Sequence, residues 1–359
     1  MAREKVLIKG NYALGEAAVR AGCRFFAGYP ITPQSELLEY MSHRLFEVGG
    51  NFRQTESEVA GINMIMGAAA CGVRSMTGSS GPGFSLMQEG ISYLASNRVP
   101  SVIVNVVRYA CGIGNISAFQ GDYLQMAKGG GHGDYHCVVL APGDLQDAVD
   151  LMPVAFDISE KYRFPVIFAV DGSIGLNVEA VEFPEEIQNP DPARFDWALR
   201  EKSGPERRYL IPSYYADTSS GRYRRYEEDL RAVTAEMKAN EQRWECIMTD
   251  DAEVIMVAYG TMSRLCHEAV VRARRNGVKL GLIRLRTLWP FPVKAFAGLN
   301  PKAYLAVEMT IMPQMAEDVA LTVRGRQPVY SFTSGVDYPS VDTIISACAD
   351  AVDGKLEEV

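Results

Sequence analysis

Residues 101–107, SVIVNVV, constrain the fold more than any other stretch of the chain. The run does not alternate apolar with polar positions, so neither of its faces is built for water. A strand of that kind belongs inside a parallel sheet covered by helices on both sides. Further short strand-like runs stand at residues 6–8, 25–27, 73–77, 137–140 and 165–170. Helix-like runs separate them at 11–21, 33–46, 56–71, 83–96 and 144–161. Strands alternating with helices predict an α/β fold on a parallel sheet.

At 359 residues the chain exceeds what one core usually organises, and two domains are expected. The alternation fills residues 1–180. Residues 181–248 break it: FPEEIQNPDP and SGPERRYLIPSYYADTSSGRYRR are rich in proline and charge, and a charged helix is predicted over 226–243. This part reads as a linker or surface excursion, whose tyrosines and arginines either pack on a partner or form a solvated connector. Residues 249–359 return to the α/β pattern, with strands in AEVIMVAYG, LGLIRLRTL and AYLAVEM and helices at 261–276 and 315–323.

Bulk properties exclude several classes. The net charge of −8, with no Lys/Arg-rich block, argues against nucleic-acid binding. No run of 18 or more apolar residues spans a membrane, and MAREKVLIKGNYALGEA has no apolar signal core, so a cytoplasmic location is expected. Seven cysteines occur without any C-x-x-C, which predicts buried thiols and no zinc site or iron–sulfur cluster within this chain.

Five stretches carry residues suited to chemistry. Residues 28–36, GYPITPQSE, leave a strand for a helix at the sheet edge where α/β proteins place ligands. Pro30 and Pro33 preset φ and push Tyr29 and Thr32 toward extended backbone. Pro33 also suits a first helical turn with Thr32 as N-cap, so a capped helix start accounts for the motif as well as a binding role does. In QTESEVAGINMIMGAAACG, Glu58, Ile62 and Ile65 share one helical face at i, i+4 and i+7, with Gly61 on the same side. Glu58 thus lies on an apolar, small-residue face, where a carboxylate needs a partner. The helix dipole alone explains Glu56 well and Glu58 less well.

The turn in TGSSGPGFSLMQEG offers backbone amides to an anion or a polar ring, although it fits neither the P-loop nor the G-x-G-x-x-G pattern. Arg108 follows the 101–107 strand, suited either to a two-point grip on a carboxylate or to a structural ion pair. In LQMAKGGGHGDYHCVVLAP, three glycines before His132 predict a tight or mobile loop. Either His132 or Asp134 meets substrate there, or the loop packs on a partner.

In order, KGNYALGEAAVRAGCRFFAGYPITPQSE, QTESEVAGINMIMGAAACG, SSGPGFSLMQEGISYL, KGGGHGDY, VVLAPGDLQDAV and IRLRTLWPFP resemble the α subunit of multi-subunit 2-oxoacid:ferredoxin oxidoreductases. The likeness is greatest to the 2-oxoisovalerate (branched-chain) type, then to the 2-oxoglutarate type. It implies a thiamine-diphosphate pyrimidine-binding-type parallel-sheet domain followed by a transketolase C-terminal-like α/β domain. It further implies oxidative decarboxylation of a 2-oxoacid with coenzyme A to acyl-CoA and CO2, with electrons passing to ferredoxin.

By position in these motifs, Glu58 matches the glutamate that bonds the cofactor's aminopyrimidine ring. Thr32 matches the threonine that contacts substrate, and Arg108 the arginine that binds its carboxylate. Tyr29, Pro30, Ser80, Gly81 and Gln88 fall on the cofactor side, and Tyr109 on the substrate side. Two departures stand out: Tyr109-Ala110-Cys111-Gly112 replaces a Gly/Pro-rich run, reshaping the substrate pocket, and residues 308–315, EMTIMPQM, depart at an interface or coenzyme A contact. No Gly-Asp-Gly…Asn stretch is present to hold magnesium and diphosphate. The resemblance therefore implies a β subunit carrying the Mg2+/diphosphate site and a [4Fe–4S] cluster, with γ and ferredoxin-like δ subunits completing the complex. Aryl 2-oxoacids, a non-catalytic assembly role and a self-sufficient transketolase-like enzyme are the alternatives.

Overall fold

The computed structural model describes residues 5–199 and 221–359. Most of the stretch SGPERRYLIPSYYADTSSGRYRR lies outside the described residues. The chain opens with β1 (Lys5–Lys9), α1 (Gly10–Arg20), β2 (Phe25–Gly28), α2 (Ser35–Glu47), β3 (Asn51–Gln54), α3 (Glu58–Ala70) and β4 (Ser75–Ser79). There follow α4 (Pro82–Leu86), α5 (Gln88–Ser96), β5 (Ser101–Val107), α6 (Tyr123–Ala127), β6 (Val138–Leu140), α7 (Leu145–Tyr162), β7 (Pro165–Asp171), α8 (Gly172–Leu176) and β8 (Val178–Glu182). After α9 (Arg222–Asn240) come β9 (Trp244–Ile247), β10 (Val254–Ala258), α10 (Gly260–Arg275), β11 (Leu280–Leu285), β12 (Thr287–Trp289), β13 (Ala303–Glu308), α11 (Met315–Val323), β14 (Val329–Thr333) and α12 (Val341–Val352).

The SVIVNVV run is the middle strand of a seven-stranded sheet ordered β12-β6-β7-β5-β4-β2-β3. All its pairings are parallel except β12 with β6. Every residue of β5 is buried, as a strand covered on both faces must be. A second, five-stranded sheet runs β14-β13-β10-β11-β9, antiparallel only at β9. β1 and β8 form a separate antiparallel ribbon.

Three local expectations change. LGLIRLRTL is not one strand: β11 ends at Leu285 and β12 crosses to the edge of the other sheet, with Arg286 at the step paired to Asp147 at the start of α7. The helix-like run 83–96 is two helices joined at Met87. The charged helix runs over Arg222–Asn240, where 226–243 was expected.

The two sheets are stitched by side chains from the loop after β5. The Gln120 backbone N–H donates to the Met309 carbonyl at 2.9 Å, and its side-chain oxygen accepts from the Met309 N–H at 2.9 Å. Gln120 Nε2 donates to the Tyr259 carbonyl at 2.9 Å, while the Tyr259 hydroxyl donates to the Gln120 carbonyl at 3.1 Å. Beside this clasp, fully buried Glu308 accepts backbone N–H bonds from Gln314, Met315 and Ala316. In EMTIMPQM the glutamate is thus an anion seated at the start of α11.

Candidate functional site

Parallel pairing brings the carboxyl ends of β2, β3, β4 and β5 to one sheet edge, and the turns leaving them carry the predicted residues. Glu58 begins α3 after β3. Ser57 caps that helix, its hydroxyl accepting from the Ala60 N–H at 3.3 Å. The Glu58 side chain is buried, with Gly61, Ile62 and Ile65, on the face that the spacing predicts. Its Oε1 accepts from Ser79 Oγ at 3.0 Å. No lysine or arginine forms an ion pair with it among the described residues.

A Cβ on Gly83 would stand 2.1 Å from both Glu58 Oε1 and Ser79 Oγ. The first turn of α4 therefore forms a wall with the side chain left out, and the carboxylate occupies the space. One hydroxyl is a thin complement for a desolvated carboxylate, which ordinarily gathers several donors. The carboxylate retains capacity to accept from a further donor.

Next to it, Ser80 is wholly buried and its hydroxyl has no hydrogen-bond partner among the described residues. Gln34 is likewise wholly buried, and neither end of its amide is bonded. Gly78 in β4 faces that amide: a Cβ there would lie 3.0 Å from Gln34 Nε2. At these atoms another group can supply the missing bond.

The GYPITPQSE loop is clamped from below. Arg108 Nη1 donates to the Thr32 carbonyl at 2.9 Å, and Nη2 to the Ile113 carbonyl at 2.5 Å. Its Nε is buried without a partner, against Gly81. Asn11 Nδ2 donates to the Pro33 carbonyl at 2.7 Å. Thr32 does not cap α2. The Thr32–Pro33 peptide is cis, the helix begins at Ser35, and Gln34 before it makes no side-chain cap bond. The Thr32 side chain is exposed at the rim with Tyr29, while Pro30 is half-buried. Arg108 forms no ion pair among the described residues; each of its terminal nitrogens donates to a backbone carbonyl.

The other predicted residues separate from this group. Gln88 is buried at the start of α5, where Nε2 donates to the Phe84 carbonyl at 3.1 Å. A Cβ on Gly130 would come within 1.9 Å of its Oε1. The glycine run thus passes tight over α5, and Ser92 Oγ holds the His132 carbonyl at 2.6 Å. His132 and Asp134 line a cavity of about 730 Å³ against α9, whose walls include none of Thr32, Glu58 or Arg108. Tyr109 packs edge-on to Phe119, with ring centroids 4.9 Å apart.

Sequence reasoning missed Ser79, Gly83 and Gln34, and it missed Asn105, the polar residue in the middle of SVIVNVV. Asn105 Nδ2 donates to Asp122 Oδ2 at 2.9 Å. Burial pushes the Asp122 carboxyl above its ordinary range, against the Asn105 bond and the Arg108 charge. The asparagine was itself the available signal, since a polar side chain in a strand buried on both faces must find a partner.

Comparisons with known proteins follow from the whole chain. Residues 16–241 match the family model "Pyruvate flavodoxin/ferredoxin oxidoreductase, thiamine diP-bdg", and residues 252–342 match "Pyruvate:ferredoxin oxidoreductase core domain II". Ketoisovalerate oxidoreductase subunit VorB of Methanothermobacter thermautotrophicus is 44% identical over 322 residues, 88% of this chain and 89% of the relative. The 2-oxoglutarate synthase subunit KorA of the same organism is 36% identical over 363 residues, 91% and 93% of the two chains. Among solved structures, a 2-oxoglutarate:ferredoxin oxidoreductase from Magnetococcus marinus, with 2-oxoglutarate, coenzyme A and succinyl-CoA bound, superposes with TM-score 0.80 at 23% identity. The match covers 98% of this chain and 66% of that one. A split-gene transketolase follows with TM-score 0.58 at 13% identity, covering 96% and 98%.

Proposed function

The chain belongs to the family of 2-oxoacid:ferredoxin oxidoreductase subunits, and from that premise we propose how its own residues serve the reaction. Glu58 is the carboxylate that bonds the aminopyrimidine ring of thiamine diphosphate. The observation that carries this is its burial against the bare backbone of Gly83, with Ser79 the one side-chain donor to it among the described residues. The unpartnered Ser80 hydroxyl beside it, with Gly81, Tyr29 and Pro30 at the rim, suits a polar heterocycle. Gln88 shapes the wall behind by packing under the glycine loop. When bound, the cofactor supplies the electron sink that lets a 2-oxoacid lose CO2.

The protein's part is to hold a proton at the right atom. A carboxyl group at a helix start, opposite a ring nitrogen, favours the form of the ring that carries a proton there, and the Ser79 bond keeps the acceptor oxygen from turning away. Thr32 offers its exposed hydroxyl to the substrate. Arg108 lies beneath as a fixed positive charge whose Nε–H has no acceptor among the described residues, favouring an anionic substrate over a neutral one. Tyr109, packed on Phe119, steadies the loop on the substrate side.

We assign the magnesium–diphosphate site and a [4Fe–4S] cluster to a β subunit, because this chain has no Gly-Asp-Gly…Asn stretch and no clustered cysteines. On this reading γ and ferredoxin-like δ subunits complete a cytoplasmic complex, coenzyme A takes the acyl group and ferredoxin the electrons. Branched-chain 2-oxoacids are the first substrate choice, on the 44% relative, with 2-oxoglutarate second.

The test is Glu58→Gln in the assembled complex, with viologen reduction driven by a 2-oxoacid. Turnover falls by about a hundredfold or more, since the proton is needed in every cycle. Turnover close to wild type would leave this chain as an assembly subunit rather than a catalytic one.

A further inference from the structure

The loop between Arg108 and Asp122 is built like a platform. The Arg108–Ala118 bridge closes its base, and the Tyr109 N–H donates to the Ser117 carbonyl at 2.9 Å. Inside, the Asn115 N–H donates to the Tyr109 carbonyl at 3.0 Å and the Gly114 N–H to the Cys111 carbonyl at 3.2 Å. The turn needs its glycine: at Gly114 φ is 57°, and a Cβ would meet the Tyr109 carbonyl at 2.0 Å.

What this platform presents is apolar. Ile113 is 82% exposed, the highest value among the exposed large apolar residues described, and Ile116 is 59% exposed. Residues 109–121, YACGIGNISAFQG, contain no Asp, Glu, Lys, Arg or His. A surface loop facing only water gains nothing from a bonded turn that holds isoleucines outward.

The position of the loop names the occupant. One planar guanidinium bonds both the Ile113 carbonyl and the Thr32 carbonyl, so the two backbones lie side by side. Thr32 is the substrate contact in the functional reading above, on which this inference rests. We propose that Ile113, with Ile116 beside it, forms the wall against which the substrate's side chain packs. The enzyme therefore selects monocarboxylic 2-oxoacids with a branched aliphatic side chain, and the loop offers no cation to a second carboxylate.

The assembled complex is assayed for viologen reduction with 2-oxoisovalerate, pyruvate and 2-oxoglutarate, as wild type, Ile113→Thr, Ile116→Thr and Ile113→Arg. Wild type prefers 2-oxoisovalerate. Ile113→Thr keeps the branched shape but loses apolar contact, and kcat/KM for 2-oxoisovalerate falls about tenfold through KM. Pyruvate is scarcely affected, Ile116→Thr gives a smaller change of the same kind, and Ile113→Arg moves the preference toward 2-oxoglutarate. An equal fall in kcat for all three substrates overturns the inference, as does loss of partner subunits from the purified variants, which would make the loop a subunit contact. A wild-type complex that prefers 2-oxoglutarate also overturns it. A wild-type complex that oxidises none of the three overturns the functional reading itself.

Discussion

A methyl group on residue 83 would fill the space in which Glu58 and Ser79 meet. Gly83→Ala must move one or both, and small displacements of a catalytic group cost about a hundredfold in rate. If Glu58 acts as proposed, the expected outcome is a complex of normal composition whose turnover drops toward that of Glu58→Gln; full activity would count against that role for Glu58. Glu58 itself was legible, because an acid at i of an otherwise apolar i, i+4, i+7 face conflicts with its surroundings. Ser79 and Gly83 were not. TGSSGPG holds adjacent serines and alternating glycines, and which of them turns inward depends on the path of β4 into α4. The helix-cap alternative for Thr32 fails for a local reason. Threonine before proline is a good cap in isolation, but Arg108 and Asn11 hold the loop by its carbonyls and the helix starts three residues later.

At the scale of elements, the strands buried on both faces were readable and the exposed edge was not. β3, NFRQ, is mostly exposed at the end of the seven-stranded sheet, so nothing in its composition separates it from a turn. Nor can a sequence show one residue serving two helices. Buried Asp171, the last residue of β7, accepts from the Ile174 N–H at 3.3 Å at the start of α8. It also accepts from the Thr261 N–H at 2.6 Å and the Thr261 hydroxyl at 2.7 Å in the first turn of α10, beyond the other sheet's β10. Asp171→Asn keeps the size but leaves an amide N–H₂ facing at least one donor. An unmet buried pair of that kind costs about 1–3 kcal/mol. The melting temperature of the complex should fall by several degrees with kcat per folded molecule nearly unchanged; an unaltered melting temperature would mean that the shared cap contributes nothing.

For the molecule as a whole, two stretches of strand–helix alternation could be read directly, whereas their joining through Gln120 could not, because a glutamine in an irregular loop carries no periodic signal. The join also decides how pH acts on the protein. Next to the Gln120–Met309 clasp, burial pushes the Glu308 carboxyl up to about 6, against the pull of the N–H groups of α11. A carboxyl whose folded value is raised keeps its proton longer in the folded state. Its contribution is therefore fully present below the unfolded value of 4.5 and is lost as pH rises through about 6. Glu16 has the opposite sign: burial pushes its carboxyl up, but bonds from Arg44 and Tyr40 outweigh that and hold it below the ordinary value, so its contribution is lost on acidification. Global unfolding would mix the two, so the probe must be local. Hydrogen exchange of the amides at residues 314–316, corrected for the intrinsic rate, reports the α11 start alone. Between pH 5 and pH 7 their protection in the wild-type complex should fall on the order of tenfold. In Glu308→Gln, which cannot titrate and turns an N–H₂ toward the helix amides, protection should be lower throughout and flat across the same interval. Protection that rises with pH in the wild type would mean that the α11 amides outweigh burial and hold the Glu308 carboxyl below its unfolded value.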